Sequence, residues 1–100
     1  MTVEAKREEN ELIFKVAGRV DSSTALLLEK EIKDRLETDV TEISMDFSML
    51  DYISSAGLRV LLTTQKIMNK RNGKLIIRNA AGSVQDIFKI TGFSTILTIV

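Results

Sequence analysis

A chain of 100 residues with 44% apolar and 28% charged side chains has the balance of a globular domain and room for one modest core. It contains neither cysteine nor histidine, which excludes disulfides, thiolate or imidazole zinc sites, a Ser-His-Asp triad and a cysteine nucleophile. Its 14 basic and 14 acidic side chains cancel, which argues against a general nucleic-acid binder.

No apolar run approaches the roughly 20 residues of a membrane span. The charged opening MTVEAKREENE lacks the apolar stretch of a signal peptide. The expectation is a single cytoplasmic domain over residues 1–100, with no membrane span, cofactor or metal.

Val3, Ala5 and Arg7 alternate with polar neighbours, a weak strand that runs into the polar turn Arg7-Glu8-Glu9-Asn10. Leu12-Ile13-Phe14-Lys15-Val16 is a stronger strand closed by Gly18, and the short connection favours a hairpin. Asp21-Ser22-Ser23-Thr24 then offers a cluster of helix N-caps, because a short side-chain oxygen accepts the orphan N–H groups of a first turn. Ala25, Leu28, Ile32 and Leu36 recur at spacings of three and four, the inward stripe of a helix.

Glu42 to Phe47 alternates polar and apolar at period two, as a half-buried strand does, and Leu50 and Ile53 extend apolar contacts across a turn around Asp51. From Ser55 the period becomes helical. Leu58, Leu61, Leu62, Gln65 and Met68 form one stripe, with Val60, Thr64 and Ile67 beside it. Leu58, Leu61 and Leu62 are expected in the core. Lys66, Lys70 and Arg71 sit near the C-terminal end, where positive charge suits the dipole, and Asn72-Gly73 supplies a stop. Leu75-Ile76-Ile77 reads as a buried strand, Ser83 to about Ile90 as a third helix ended by Gly92, and Phe93 with Thr95 to Ile99 as a last strand.

The order β-β-α-β-α-β-α-β predicts an α/β fold, a small mixed sheet with helices packed on it. Functional loops of strand–helix units collect beyond the carboxyl ends of the strands. Two such loops are chemically distinctive: Gly18 to Thr24 and Asp51 to Gly57. Side by side they form a polar rim of one aspartate and several hydroxyls. Ser54 or Ser55 as a plain N-cap, worth about 1 kcal/mol, accounts for a serine at a helix start. Gly57 most simply permits close packing. A hydroxyl there also lies where free N–H groups and the dipole favour an anion, so a phosphate is tolerated by the domain and opposed by a partner laid over it.

Charge is unevenly distributed. Residues 1–51 hold 13 acidic and 7 basic side chains, and residues 52–100 hold one acidic and 7 basic. Differently charged solvent faces explain this, and so does a polarised surface that orients a protein partner.

The stretch ISSAGLRVLL, preceded by ISMDFSMLDY, resembles the signature of STAS-domain anti-sigma factor antagonists. FKVAGRVDSSTALLLEKEI is similar to the same family's earlier strand, Gly-x-x-Asp turn and first helix, and NGKLIIRNAAGSVQDIFKITGF to its later strand and third helix. The resemblance spans nearly the whole chain. It implies that Ser55 is a phosphoacceptor, followed by Ala56 and Gly57, and that Asp21 lies beside it. Ser54 stands where the family usually has aspartate, which makes it the rival acceptor.

The resemblance further implies a non-enzymatic, phosphorylation-switched regulator. Unphosphorylated, it binds an anti-sigma factor with serine-kinase activity through Asp21, Ser22, Ser23, Ser54, Ser55, Ala56 and Gly57. A metal-dependent serine phosphatase resets it. A monomer is expected. Two other readings stay open: a STAS subunit of a transporter or larger signalling assembly without a switch, and a small hydrolase using Ser55. Against the last stand the absent histidine, the missing phosphate-cradling glycine loop and the lack of any lysine close to Ser54 or Ser55 in sequence.

Overall fold

Alternating apolar residues draw the first two segments into an antiparallel hairpin, β1 (Thr2–Glu8) and β2 (Glu11–Val20), in the computed structural model, which describes all residues from Met1 to Val100. The turn is only Glu9-Asn10, with Glu9 left-handed at φ 54°. The pairing runs in register from Thr2 opposite Ala17 to Glu8 opposite Glu11.

Strand β2 is ten residues long because it serves two partners. Glu11 to Lys15 pairs in parallel with β3 (Glu42–Asp46), and Gly18 to Val20 pairs in parallel with β4 (Leu50–Ile53). Between Gly18 and Arg19 the register shifts. Gly18 occupies φ 88°, a region that costs other residues dearly, and its N–H bonds Met49 O at 2.8 Å. This bulge redirects the strand from one partner to the next.

The sheet continues through β5 (Lys74–Arg78) to β6 (Thr98–Ile99), in the order β1-β2-β3-β5-β6 with β4 attached to β2. It is mixed: β1–β2 is antiparallel and the remaining pairs are parallel. Three helices join the parallel strands: α1 (Ala25–Arg35), α2 (Ser55–Lys70) and α3 (Gly82–Ile90). The α/β class expected from the sequence is therefore present.

Period-two alternation assigns the sheet faces. Leu12, Phe14, Val16, Ile43, Met45, Leu75 and Ile77 are buried on one face, toward the helices. Glu11, Ile13, Lys15, Glu42, Asp46, Lys74 and Arg78 occupy the other face, half-buried or exposed. Helix α1 closes the core with Ala25, Leu28 and Ile32, and α2 with Leu58, Val60, Leu61 and Met68. Leu62 is only half-buried, which corrects its expected place in the core; Thr64 and Gln65 are buried in its stead. Thr64 satisfies its hydroxyl on Val60 O at 2.8 Å.

Two further expectations change. Leu50 to Ile53 is a strand of its own rather than an extension of a turn, because pairing with β2 beyond the bulge satisfies its backbone. The last strand shrinks to Thr98 and Ile99. Phe93 to Thr95 forms a 3-10 turn instead, held by Leu97 N–H on Phe93 O at 2.8 Å and Thr95 Oγ1 on Gly92 O at 2.8 Å.

Candidate functional site: the rim beyond β2 and β4

Parallel strands that end together deliver their following loops to the same place. Val20 pairs with Ile53, and the next residue, Ser54, donates its N–H to Val20 O at 2.8 Å. The loop Asp21 to Thr24 and the start of α2 are thereby neighbours. Gly57 fixes how closely α2 seats on these strand ends: a Cβ there would stand 2.6 Å from Ile53 Cγ1 and 2.8 Å from Val20 Cγ1. Gly57 is buried. Its lack of a side chain allows this approach.

The two serines differ sharply. Ser54 is the N-cap of α2, in extended geometry, with its Oγ accepting the Gly57 N–H at 3.2 Å and its carbonyl accepting the Leu58 N–H at 2.9 Å. That is the ordinary capping role for a serine at a helix start. Ser55 is the first helical residue, it is exposed, and its hydroxyl has no partner within the chain. Ala56 beside it is half-buried.

Asp21 organises the other loop. Its Oδ1 accepts the Ser23 N–H at 3.0 Å, the Ser23 hydroxyl at 2.8 Å and the Thr24 N–H at 2.9 Å, and lies 3.0 Å from Thr24 Oγ1. Thr24 Oγ1 in turn accepts the Asp21 N–H at 2.9 Å, and the Asp21 carbonyl accepts the Ala25 N–H at 2.9 Å. The capping duty expected of the whole cluster thus falls on Asp21, while Thr24, at the boundary of α1, makes no side-chain cap. The Thr24 N–H above all, then the Ser23 and Thr24 hydroxyls, hold the carboxyl at about 2, below its ordinary 3.8. It is ionised at neutral pH. Ser22 is exposed.

The structure adds residues that the sequence reading did not single out. Arg19 lies with its guanidinium carbon 4.5 Å from the centre of the Tyr52 ring, across the β2–β4 pair. A groove of about 270 Å³ runs between α1 and α2, lined by Ser22, Ala25, Leu26, Ala56, Arg59 and Val60 among others. Leu26 is 70% exposed and Leu27 57%. The available signal was the run Ala25-Leu26-Leu27-Leu28, which has more leucine than the inward stripe of a helix can bury.

Chemically, the rim combines one fixed carboxylate, the free hydroxyls of Ser22 and Ser55 and an adjoining part-apolar groove. No group of three or more carboxylates is arranged to hold a metal ion, and no helix is long and apolar enough to cross a membrane.

The chain is 35% identical over 88 residues to BtrV of Bordetella bronchiseptica, named as an anti-sigma factor antagonist, covering 88% of this chain and 76% of that one. Its fold matches a Thermotoga maritima crystal structure with a TM-score of 0.89 at 18% identity, covering 97% of this chain and 84% of that one. It also matches the anti-sigma factor antagonist SpoIIAA in its unphosphorylated form, with a TM-score of 0.79 at 16% identity over 99% of this chain and 87% of that one. SpoIIAA in its phosphorylated form gives 0.77 at 16% identity, over 99% and 91%. The family model for the STAS domain matches residues 2–100. With its mixed sheet, three helices and paired loops beyond β2 and β4, the chain belongs to the STAS domain family.

Proposed function

We propose that the protein is a cytoplasmic anti-sigma factor antagonist whose binding is switched by phosphorylation of Ser55. Unphosphorylated, it binds an anti-sigma factor with serine-kinase activity through the rim of Asp21, Ser22 and Ser55 and the adjoining groove between α1 and α2. The observation that carries the reading is the contrast between the serines: Ser54 Oγ is engaged in capping Gly57, and Ser55 is exposed with a free hydroxyl. That SpoIIAA has been solved in phosphorylated and unphosphorylated forms supports it.

In this reading the chain is ligand and substrate, not catalyst. The kinase transfers the γ-phosphoryl group of ATP: a bond forms between Ser55 Oγ and the γ-phosphorus, the bond from that phosphorus to the β,γ-bridging oxygen breaks, and the hydroxyl proton passes to a base of the kinase. ADP leaves. A metal-dependent serine phosphatase returns the hydroxyl by hydrolysis. Phosphate adds about −1.5 to −2 charges at the rim. Ser55 is exposed, so the fold accommodates the group, while a docked surface must desolvate the dianion and loses affinity.

The test uses a purified anti-sigma factor serine kinase with ATP and magnesium. Intact-mass and fragment analysis should place one phosphate on Ser55, in the wild type and in Ser54→Ala alike, and none in Ser55→Ala. Ser55→Asp should weaken binding at least about a hundredfold, equivalent to roughly 3 kcal/mol. Phosphate on Ser54, or Ser55→Asp binding as tightly as wild type, would sink the reading.

A further inference from the structure

The two helices beside the rim treat their charges in opposite ways. Helix α1 closes three ion pairs one turn apart: Glu29 with Lys33 at 3.5 Å, Lys30 with Asp34 at 2.6 Å and Glu31 with Arg35 at 3.0 Å. Helix α2 carries Arg59, Lys66 and Lys70 and no acid, and none of the three forms an ion pair. Lys66 and Lys70 lie toward its C-terminal end, where the dipole welcomes a cation. Arg59 lies in the second turn, where the dipole gives a cation no such support. It is exposed, and its guanidinium has no hydrogen-bond partner in the chain.

The residue one turn before Arg59 is Ser55. Side chains four apart on a helix stand about 6 Å from each other at Cβ, and an acid placed before a base at this spacing is the favourable orientation. A guanidinium bridges that distance and can grip a phosphate with two parallel N–H bonds. The α2 counterpart of the α1 pairs lacks only its acid.

We propose that Arg59 is the internal counter-ion of phosphorylated Ser55. This rests on the reading of Ser55 as the modified residue. The pairing turns the phosphate along α2 toward the groove that Arg59 and Ala56 line with Leu26. It also favours the second ionisation of the phosphate, whose unassisted pKa is about 6, so that less of the modified residue remains monoanion at neutral pH. Other charges near the group are Asp21 from the loop after β2, Arg19 over Tyr52 from the β2–β4 pair, and Glu29 across the groove, which is engaged with Lys33. All three are present in every variant compared, so their effects cancel.

Phosphoserine installed at position 55 during translation tests the pairing without any kinase. A failure here is therefore distinct from a failure of the kinase to modify Ser55. The probe is the phosphorus resonance of the intact protein, titrated through its second ionisation in wild type, Arg59→Gln and Lys66→Gln. Arg59→Gln should raise that pKa by about 0.4 unit, a difference that shrinks in about 1 M salt. Lys66→Gln should leave it unchanged. Equal values in wild type and Arg59→Gln would overturn the proposal, as would an equal shift in Lys66→Gln, which would reflect the general field of α2.

Discussion

Asp21 commits one carboxylate oxygen to two backbone N–H groups and two hydroxyls, and so converts a flexible Ser-Ser-Thr run into a fixed turn ahead of α1. Every one of these donors favours the charged form, which is why the carboxyl titrates near 2. Linkage sets the sign. A carboxyl whose pKa is depressed on folding contributes stability above its unfolded value near 3.8, and that contribution is lost as pH falls toward 2. Asp21→Asn keeps an acceptor oxygen but removes the charge. Its melting temperature should lie below wild type at neutral pH, and the gap should narrow below pH 3.8 and close near pH 2. Thermal unfolding across that range checks it. A gap that stays constant would show that shape, not charge, makes Asp21 matter.

At the scale of elements, the rim exists because β2 outlasts β3. Its last three residues pair with β4, and α2 then seats on Val20 and Ile53 through Gly57. Gly57→Ala forces a methyl against two buried side chains at 2.6 and 2.8 Å. Overpacking of this kind costs about 1–3 kcal/mol, which a urea titration at constant m-value should register. An unchanged midpoint would mean that α2 can lift without penalty. The helices were legible in sequence because Ala25-Leu28-Ile32 and Leu58-Leu61-Gln65-Met68 keep a strict period. Strand β4 was not. Its apolar residues Leu50 and Ile53 fall three apart, and only pairing beyond the Gly18 bulge makes four such residues a strand. The adjacency of the two loops could be anticipated from parallel topology, whereas periodicity and composition left Ser54 and Ser55 equivalent and only the family resemblance set Ser55 ahead as the expected phosphoacceptor. Both are good capping residues, and the choice is settled by which oxygen meets the Gly57 N–H. Arg59 and Leu26 escaped notice because an exposed arginine or leucine on a helix is ordinary until its neighbours are known.

At the scale of the whole molecule, the uneven charge of the sequence survives folding. Every ion pair lies within residues 1–51: Lys6 with Glu8, Arg7 with Glu37 and Asp39, and the three of α1. The basic side chains beyond residue 51 are left without ion pairs, and Arg71 is bound instead by the carbonyls of Glu37 and Val40 at 2.8 and 3.1 Å. The acidic half, in contrast, brings like charges together. On the open face of the sheet the register sets Glu8 beside Glu11 and Glu11 beside Glu42, with Lys74 next in the row. The buried Ser44 hydroxyl, two residues along β3 from Glu42, donates to Glu11 Oε2 at 2.6 Å and lowers the Glu11 pKa. Glu42 pays for this arrangement: hydrogen bonding to Glu11, burial and the Glu11 charge raise its pKa, against the weaker pull of Lys74 and Arg78. A raised carboxyl contributes stability below the unfolded value near 4.5 and loses it as pH climbs through the folded one. Glu42→Gln keeps a donor for Glu11 without the second charge. Its melting temperature should exceed wild type at neutral pH, by an amount corresponding to no more than about 1 kcal/mol for so open a pair. Well below pH 4.5, where the Glu42 carboxyl of the wild type is protonated in the folded and the unfolded chain alike, the two proteins should converge. A Glu42→Gln protein less stable than wild type at neutral pH would mean that Lys74 and Arg78 outweigh Glu11, reversing the order of these charges.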